Sequence, residues 1–443
     1  MFIIGNGRVL TQDDNNPYIE NGAVVIENDK IVAVGNFADL KASYPNAEFI
    51  DAKEGVIMPG LINTHMHIYS SFARGMAVTG PTQNFDQILE NLWWKVDKKL
   101  GLEDTKYSAY ATYMECIKNG VTTVIDHHAS PYHITGSLKE IAGVAEELGL
   151  RTSLCYEVSD RDGVAITDEG IKENIDFIKW AEAKNSDMIK GMFGLHAAFT
   201  LSNQTLSKCQ KAMEGVNAGY HVHTAEGYTD LTDSLKLYGK RVVERLNDYG
   251  IFRENTIAVH CIHVNEHELN ILRDSKCNVV HNPESNMGNA VGCSPAIHMI
   301  KKGIKVGLGT DGYTADMLES LKVANIIHKH HLRDPTVAWM EAPLMLFRNN
   351  REIIKKQFGC ETGILKAGAK ADIAISDYIP HTELNGSNYN GHIVFGMSGR
   401  SIVTTICNGK VIMKDRELLT VNEKKVLEKS REVSKKMWER FSK

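Results

Sequence analysis

The sequence predicts an α/β protein, a (β/α)8 TIM barrel inserted into a small composite β-sandwich built from both termini. Three observations carry this expectation. Apolar, β-branched runs alternate with helical patterns through the middle of the chain. The two ends are β-rich and resemble each other. Histidines gather where the predicted strands stop. The length agrees, since 443 residues hold a barrel of about 250 residues and one accessory module.

Residues 1–57 form the first part of the expected sandwich. They contain "FIIGNGRVLT", "GAVVIEN" and "KIVAVGN", with a tight polar turn near Asp29. Residues 364–443 supply its second part, with "ADIAIS" and "SIVTTICNGKVIMKD", and a charged surface helix over 422–442. Asn408-Gly409 between two apolar runs is a strong hairpin signal, because both central residues of that turn need positive φ. Residues 58–363 form the expected barrel. Its strands begin with "GVIMPGLINTHMH" and end near positions 126, 155, 196, 223, 260, 281 and 311. Helical patterns fall at 138–148, 169–183, 203–216, 234–249, 266–274 and 295–302. The gap from 65 to 126 gives the first unit a long loop, and long barrel loops are usually functional. A doubly wound open sheet is the alternative, but no Gly-rich phosphate turn follows the first strand.

Composition narrows the function classes. With 43% apolar and 24% charged residues the chain is ordinary for a soluble globular protein. A net charge of −5 argues against nucleic acid or an anionic membrane as partner. No apolar run reaches membrane-spanning length, and "MFIIGNGRVL" lacks the basic start of a signal peptide. The eight cysteines never form Cys-x-x-Cys and sit in apolar segments, which reads as reduced thiols in a cytoplasm.

His65 and His67 sit one residue apart at the end of the first barrel strand, on one face of it. His-x-His alone is weak evidence. Here His127, His196, His221 or His223, His260 or His263, His281 and Asp311 also fall at strand C-termini, which converge on one mouth in an eight-stranded barrel. Two histidines from strand one, one from strand five and a carboxylate from strand eight suit Zn²⁺ or Fe²⁺. Such a set leaves a position for water, which is a catalytic arrangement.

"PGLINTHMH", "HTAE", "HCIH", "HNPESN" and "GLGTDG", in that order, resemble the amidohydrolase superfamily. Within it the chain is similar to the cytosine-deaminase-like and triazine-chlorohydrolase-like enzymes, and most of all to the SsnA aminohydrolases. The resemblance spans nearly the whole chain. It implies a barrel interrupting a sandwich and one divalent metal, zinc ahead of iron, with His65, His67, His223 and Asp311 as ligands. It implies Glu226 as proton shuttle, His260 beside the attacking water and substrate, and Asp311 as general base. His221 falls one layer below His223, and His263 lies further out at the mouth. The binuclear branch needs a lysine at the end of strand four, which here reads "GLHAAFT", so one metal is expected.

The expected reaction is hydrolytic deamination of an amino-substituted heteroaromatic ring, purine- or pyrimidine-like, with ammonia release. A triazine-type hydrolytic dehalogenase is the runner-up. A non-catalytic dihydropyrimidinase-like scaffold ranks below both, because no key position is lost. Guanine is disfavoured, because Ser70 stands where the guanine deaminases carry glutamine. Arg74, in the long first loop, is a candidate for an anionic or carbonyl-rich substrate group. Of Trp93 and Trp94 at least one is expected in the core and the other as an aromatic wall, for which Trp94 is the candidate, and His196 is a candidate substrate contact. His127 and His128 are candidates for support of the site, and Ser285 and Asn286 for a turn buttressing the rim. "HKHH" at 328–331 reads as surface. The partner expected is a small molecule, with homodimerisation implied by the resemblance.

Overall fold

The computed structural model describes residues 1–443. Eight parallel strands form the barrel: Leu61–Met66, Val121–Asp126, Arg151–Leu154, a fourth in two pieces, then Tyr220–Thr224, Ile257–His260, Asn278–His281 and Lys305–Leu308. The fourth strand is Ile189–Gly191 followed by Phe193–Ala197. Its first piece pairs with the third strand and its second with the fifth.

The barrel closes between its first and eighth strands through Thr310 N to His65 O (3.0 Å) and Asp311 N to His65 O (3.1 Å). Lower in the same seam, Thr64 Oγ1 donates to Leu308 O (3.0 Å). The buried Asn350 side chain donates to the carbonyls of Ile62 and Leu308 and accepts from Leu308 N, each at 2.8 Å. The strands approach too closely for side chains here. A Cβ on Gly307 would lie 2.5 Å from Asn350 Oδ1, and one on Gly309 would lie 2.8 Å from His65 O.

The two termini share one nine-stranded sheet. Val56–Pro59 lies between Phe2–Leu10, to which it is parallel, and Ile373–Ser376, to which it is antiparallel. Ile31 N donates to Ala369 O and Gly368 N to Ile31 O, tying the far edge of the sheet back to the segment before Ile373. The sheet therefore folds over a core of its own, in which Ile4, Val24 and Ile26 meet Ile373, Ile375 and Ile406. The hairpin turns at Asn408 (φ 49°) and Gly409 (φ 76°), joining Ile402–Cys407 to Lys410–Lys414.

The helices Ser137–Leu148, Glu266–Asp274 and Ala296–Lys301 fall where their patterns placed them. The pattern over 234–249 is two helices, Tyr228–Tyr238 and Val242–Asp248, parted at Gly239 in the left-handed region (φ 66°). Residues 283–288 form a short helix with Pro283 in its first turn, where the sequence suggested a turn. His328 corrects the surface expectation for 328–331. It is buried with Leu321, Ala324 and Asn325 on the inner face of Met317–Leu332, and its ring lies 4.9 Å from that of His281. The last helix, Glu423–Phe441, lies against Leu102–Lys118 of the barrel and not on the terminal sheet. No helix is long and apolar enough to cross a membrane.

Two outcomes follow. Asn350→Leu should remove three hydrogen bonds of the closing seam, leaving Leu308 O only its bond from Thr64, and lower unfolding free energy by about 3 kcal/mol. An unchanged urea midpoint would show that the seam closes without that amide. Deleting residues 364–443 should leave Val56–Pro59 as a bare apolar edge and the chain insoluble. A truncated chain that purifies folded would separate the two ends.

Candidate active site

The closing seam sets the site. Asp311 lies three residues beyond the eighth strand and bridges to Met66, which places its carboxylate between the two first-strand histidines. Its Oδ1 is 3.3 Å from His67 Nε2 and 3.8 Å from His65 Nε2. His223, on the fifth strand, brings its Nε2 to 3.1 Å from that of His67.

The hydrogen bonds behind these rings decide what they face. His67 Nδ1 donates to the His127 carbonyl (2.7 Å) and His223 Nδ1 to the His196 carbonyl (3.1 Å). With both Nδ1 atoms turned to backbone carbonyls, the two Nε2 atoms face each other across the pocket. His65 Nδ1 lies 2.8 Å from His221 Nε2, and its own Nε2 is buried with no hydrogen-bond partner. Burial, with the neighbouring rings, holds His65, His221 and His223 well below the ordinary histidine pKa, which favours their neutral, metal-ligating form. A cation among these nitrogens would satisfy them together. Zn–N distances near 2.0–2.1 Å in a tetrahedron put ligand nitrogens about 3.3 Å apart. The residues present fit a divalent metal, and the ligand atoms of His65, His67 and His223 lie within 4.8 Å of one another. His221 is then the support that orients His65.

Around this centre lie the proton-handling groups. His260 ends the sixth strand, and its Nε2 is 3.4 Å from Glu226 and 3.5 Å from Asp311 Oδ2. Its Nδ1 donates to Asn286 Oδ1 (2.8 Å), while Ser285 Oγ donates to Asp311 Oδ2 (2.7 Å). Ser285 and Asn286 thus touch the two groups directly, beyond the rim role their turn suggested. Burial, reinforced by Asp311, pushes the Glu226 carboxyl well above its usual range, which favours its protonated form. Burial would raise Asp311 too, but His67, His260, Ser285 and the Gly312 amide together hold it low. His260 (φ 69°) and Asp311 (φ 57°) both adopt the left-handed backbone conformation, as functional residues held by their surroundings often do.

Trp94 and His196 line the cavity over this centre, together with His67, His223, Glu226 and Asp311. Trp93 lines it too, while also packing against Tyr69. Arg74 is corrected: it is exposed and paired with Glu115 (2.9 Å), in a neighbouring cavity. That neighbouring cavity adjoins the first one, sharing Trp93, Asp311 and Tyr313 with it. His263 stands outside the cavity, its ring 5.5 Å from that of Tyr228. His127 lies against Glu157 (3.3 Å), and His128 bonds Ser130.

Sequence reasoning missed Glu157, Asp97 and Tyr313, which all line the cavity. Glu157 had a usable signal: it is an acid just past the apolar third strand, in the register that singled out the histidines. Asp97 had none, because it lies in a helical stretch among lysines.

A profile of the amidohydrolase family matches residues 56–412, and one of the bacterial imidazolonepropionase-like composite domain matches residues 22–47. A 5′-deoxyadenosine deaminase of Methanosarcina mazei is 32% identical over 440 residues, covering 98% of each chain. A 5-methylthioadenosine/S-adenosylhomocysteine deaminase of Thermococcus onnurineus is 34% identical over 423 residues, covering 94% of this chain and 95% of the relative. The crystal structure of an adenosine deaminase from Xanthomonas campestris with bound zinc superimposes with a TM-score of 0.88 at 22% identity, covering 98% of both chains, a likeness of fold. The chain belongs to the amidohydrolase family, and is a hydrolase of carbon–nitrogen bonds other than peptide bonds.

Proposed function

We propose that the protein deaminates the 6-amino group of an adenosine modified at its 5′ position, using one divalent metal, zinc first. The observation that carries this reading is the juxtaposition of Glu226, His260 and Asp311 over a three-histidine pocket. The names of the two relatives supply the substrate class.

His65, His67, His223 and Asp311 would hold the metal, which supplies Lewis acidity and lowers the pKa of a water to about 7. Asp311, kept low and oriented by Ser285, accepts the first proton of the attacking water as its oxygen adds to C6. Glu226, protonated at the outset, gives its proton to the ring nitrogen N1. The C6–N bond then breaks as Asp311 passes its proton to the leaving amine. His260 faces both carboxylates and carries the second water proton back to Glu226 as the carbonyl forms. Water and adenosine become inosine and ammonia, and every protein group ends as it began.

The test is ammonia release and the ultraviolet shift from adenine to hypoxanthine on metal-replete protein, with 5′-deoxyadenosine and 5′-methylthioadenosine. Failure to deaminate either would overturn the reading. Glu226→Gln keeps the side chain's shape but carries no proton, so turnover should fall by about 10² to 10⁴ while metal stays bound. Near-normal ammonia release from that variant would remove Glu226 from the mechanism. Elemental analysis should find about one equivalent of zinc, as expected for a site with four protein ligands. Chelation should abolish activity and lower Tm, because the cation binds only the folded chain. Two equivalents in the active protein, or full activity with none, would refute the metal assignment.

A further inference from the structure

Glu226 stands over the metal pocket, yet no hydrogen bond anchors its carboxyl. Its Oε2 is 3.4 Å from His260 Nε2, which itself has no hydrogen-bond partner. Its place is therefore set by its backbone. The fifth strand ends at Thr224, and the chain turns at Ala225 in the left-handed region (φ 49°). That conformation is costly for a residue with a Cβ and persists only where the surroundings hold it. One side is held by the loop after the sixth strand, where Ile262 N and His263 N donate to the Ala225 carbonyl (3.1 and 2.9 Å). The other is held by Asp230. It is buried in the first turn of the helix Tyr228–Tyr238, and its Oδ2 accepts from Ala225 N (2.8 Å) while its Oδ1 accepts from Phe199 N (2.9 Å). An ordinary capping carboxylate would take the amide of the N-cap residue, here Gly227. Asp230 reaches two residues past it, and across to the turn after the fourth strand. That turn is fixed independently, because Arg245 donates to the carbonyls of Ala198 (2.7 Å) and Leu201 (2.5 Å).

We infer that Asp230 is a positioning residue for Glu226: it fastens the amide of the left-handed turn to the fourth-strand turn, and so holds the proton donor over the reacting ring. The inference rests on the adenosine reading above and names the group that aims its general acid. The carboxylate is needed as such, because each oxygen serves a different N–H. An amide in its place would turn a donor toward one of them. His223 lies two residues before the turn, in a strand paired on both sides, so the metal pocket does not depend on this clamp.

The test is Asp230→Asn in the metal-replete protein, assayed at about pH 8 because burial pushes the Asp230 carboxyl up to about 7. On 5′-methylthioadenosine, kcat should fall about 10- to 100-fold, while KM stays within about twofold and bound metal is unchanged. In the Glu226→Gln background the same substitution should cost no more than about twofold, because the proton donor it positions is already gone. An additive loss in the double variant, or an unchanged kcat in the single one, would overturn the inference. So would loss of metal or of the fold in step with activity, because Asp230 would then hold the barrel mouth rather than Glu226. Amide hydrogen exchange gives a readout that needs no turnover. Deuterium uptake over residues 224–227 should quicken about tenfold or more, with 228–238 unchanged. A rise running through 228–238 would mark a helix cap only and count against the proposal. Wild-type protein that deaminates neither 5′-methylthioadenosine nor 5′-deoxyadenosine would overturn the adenosine reading, and the exchange result would then judge the clamp alone.

Discussion

The seam that joins the first and eighth barrel strands is the constraint on which the site depends. Two backbone amides, of Thr310 and Asp311, share the His65 carbonyl, so the Asp311 carboxylate, proposed to bind the metal, is fixed to the backbone of His65. Site residues more than two hundred positions apart in sequence are in this way set by one pair of hydrogen bonds. The close strand approach needs Gly307 and Gly309, and the Asn350 amide satisfies backbone groups that the short eighth strand leaves open. Stability and site geometry are the same interactions here. A barrel that opened at this seam would lose its ligand set with its sheet.

A second consequence is electrostatic. The rings of His65, His221, His223 and His260 are buried together, where charging any one of them is opposed by burial and by the others. The cluster is tolerable as a set of neutral donors and acceptors whose tautomers are chosen by backbone carbonyls and Asn286. The charge that the site needs is left for a cation to bring. Glu226 follows the same rule with the opposite sign: burial beside Asp311 favours its protonated form, which is the state a general acid requires.

How much of this was legible in the sequence depends on whether a residue's role is set by strand register or by tertiary packing. His65, His67, His223, His260 and Asp311 stand at or just beyond strand ends, and period-two alternation with barrel geometry brings them to one mouth. The Asn408-Gly409 hairpin was legible for the same reason, its chemistry being local. Arg74 was misplaced because a loop side chain has no register to orient it; Glu115, on a different element, decides its direction. His328 was misplaced because helix faces depend on what the helix packs against, and His281 lies underneath. Asp97 and Arg161 could not be paired from sequence, since they come from different loops and meet only across the cavity wall. The left-handed backbone at His260 and Asp311 left no trace in residue type either, because neither is a glycine.

The long loop after the first strand shows why the chain ends matter to the substrate side. It supplies Phe85, Leu89, Trp93, Trp94 and Asp97 to the cavity, yet its short helical turns would be poorly ordered alone. It is held from outside by the C-terminal helix. Val433, Met437 and Phe441 pack with Tyr69, Phe72, Val96 and Leu100, and Trp438 Nε1 donates to the Phe72 carbonyl (2.6 Å). The barrel seam thus governs the metal side of the cavity, and the docking of the last helix governs its opposite wall. Catalytic geometry and substrate choice are carried by different contacts of the fold, so the wall can change its charge while the ligand set stays fixed.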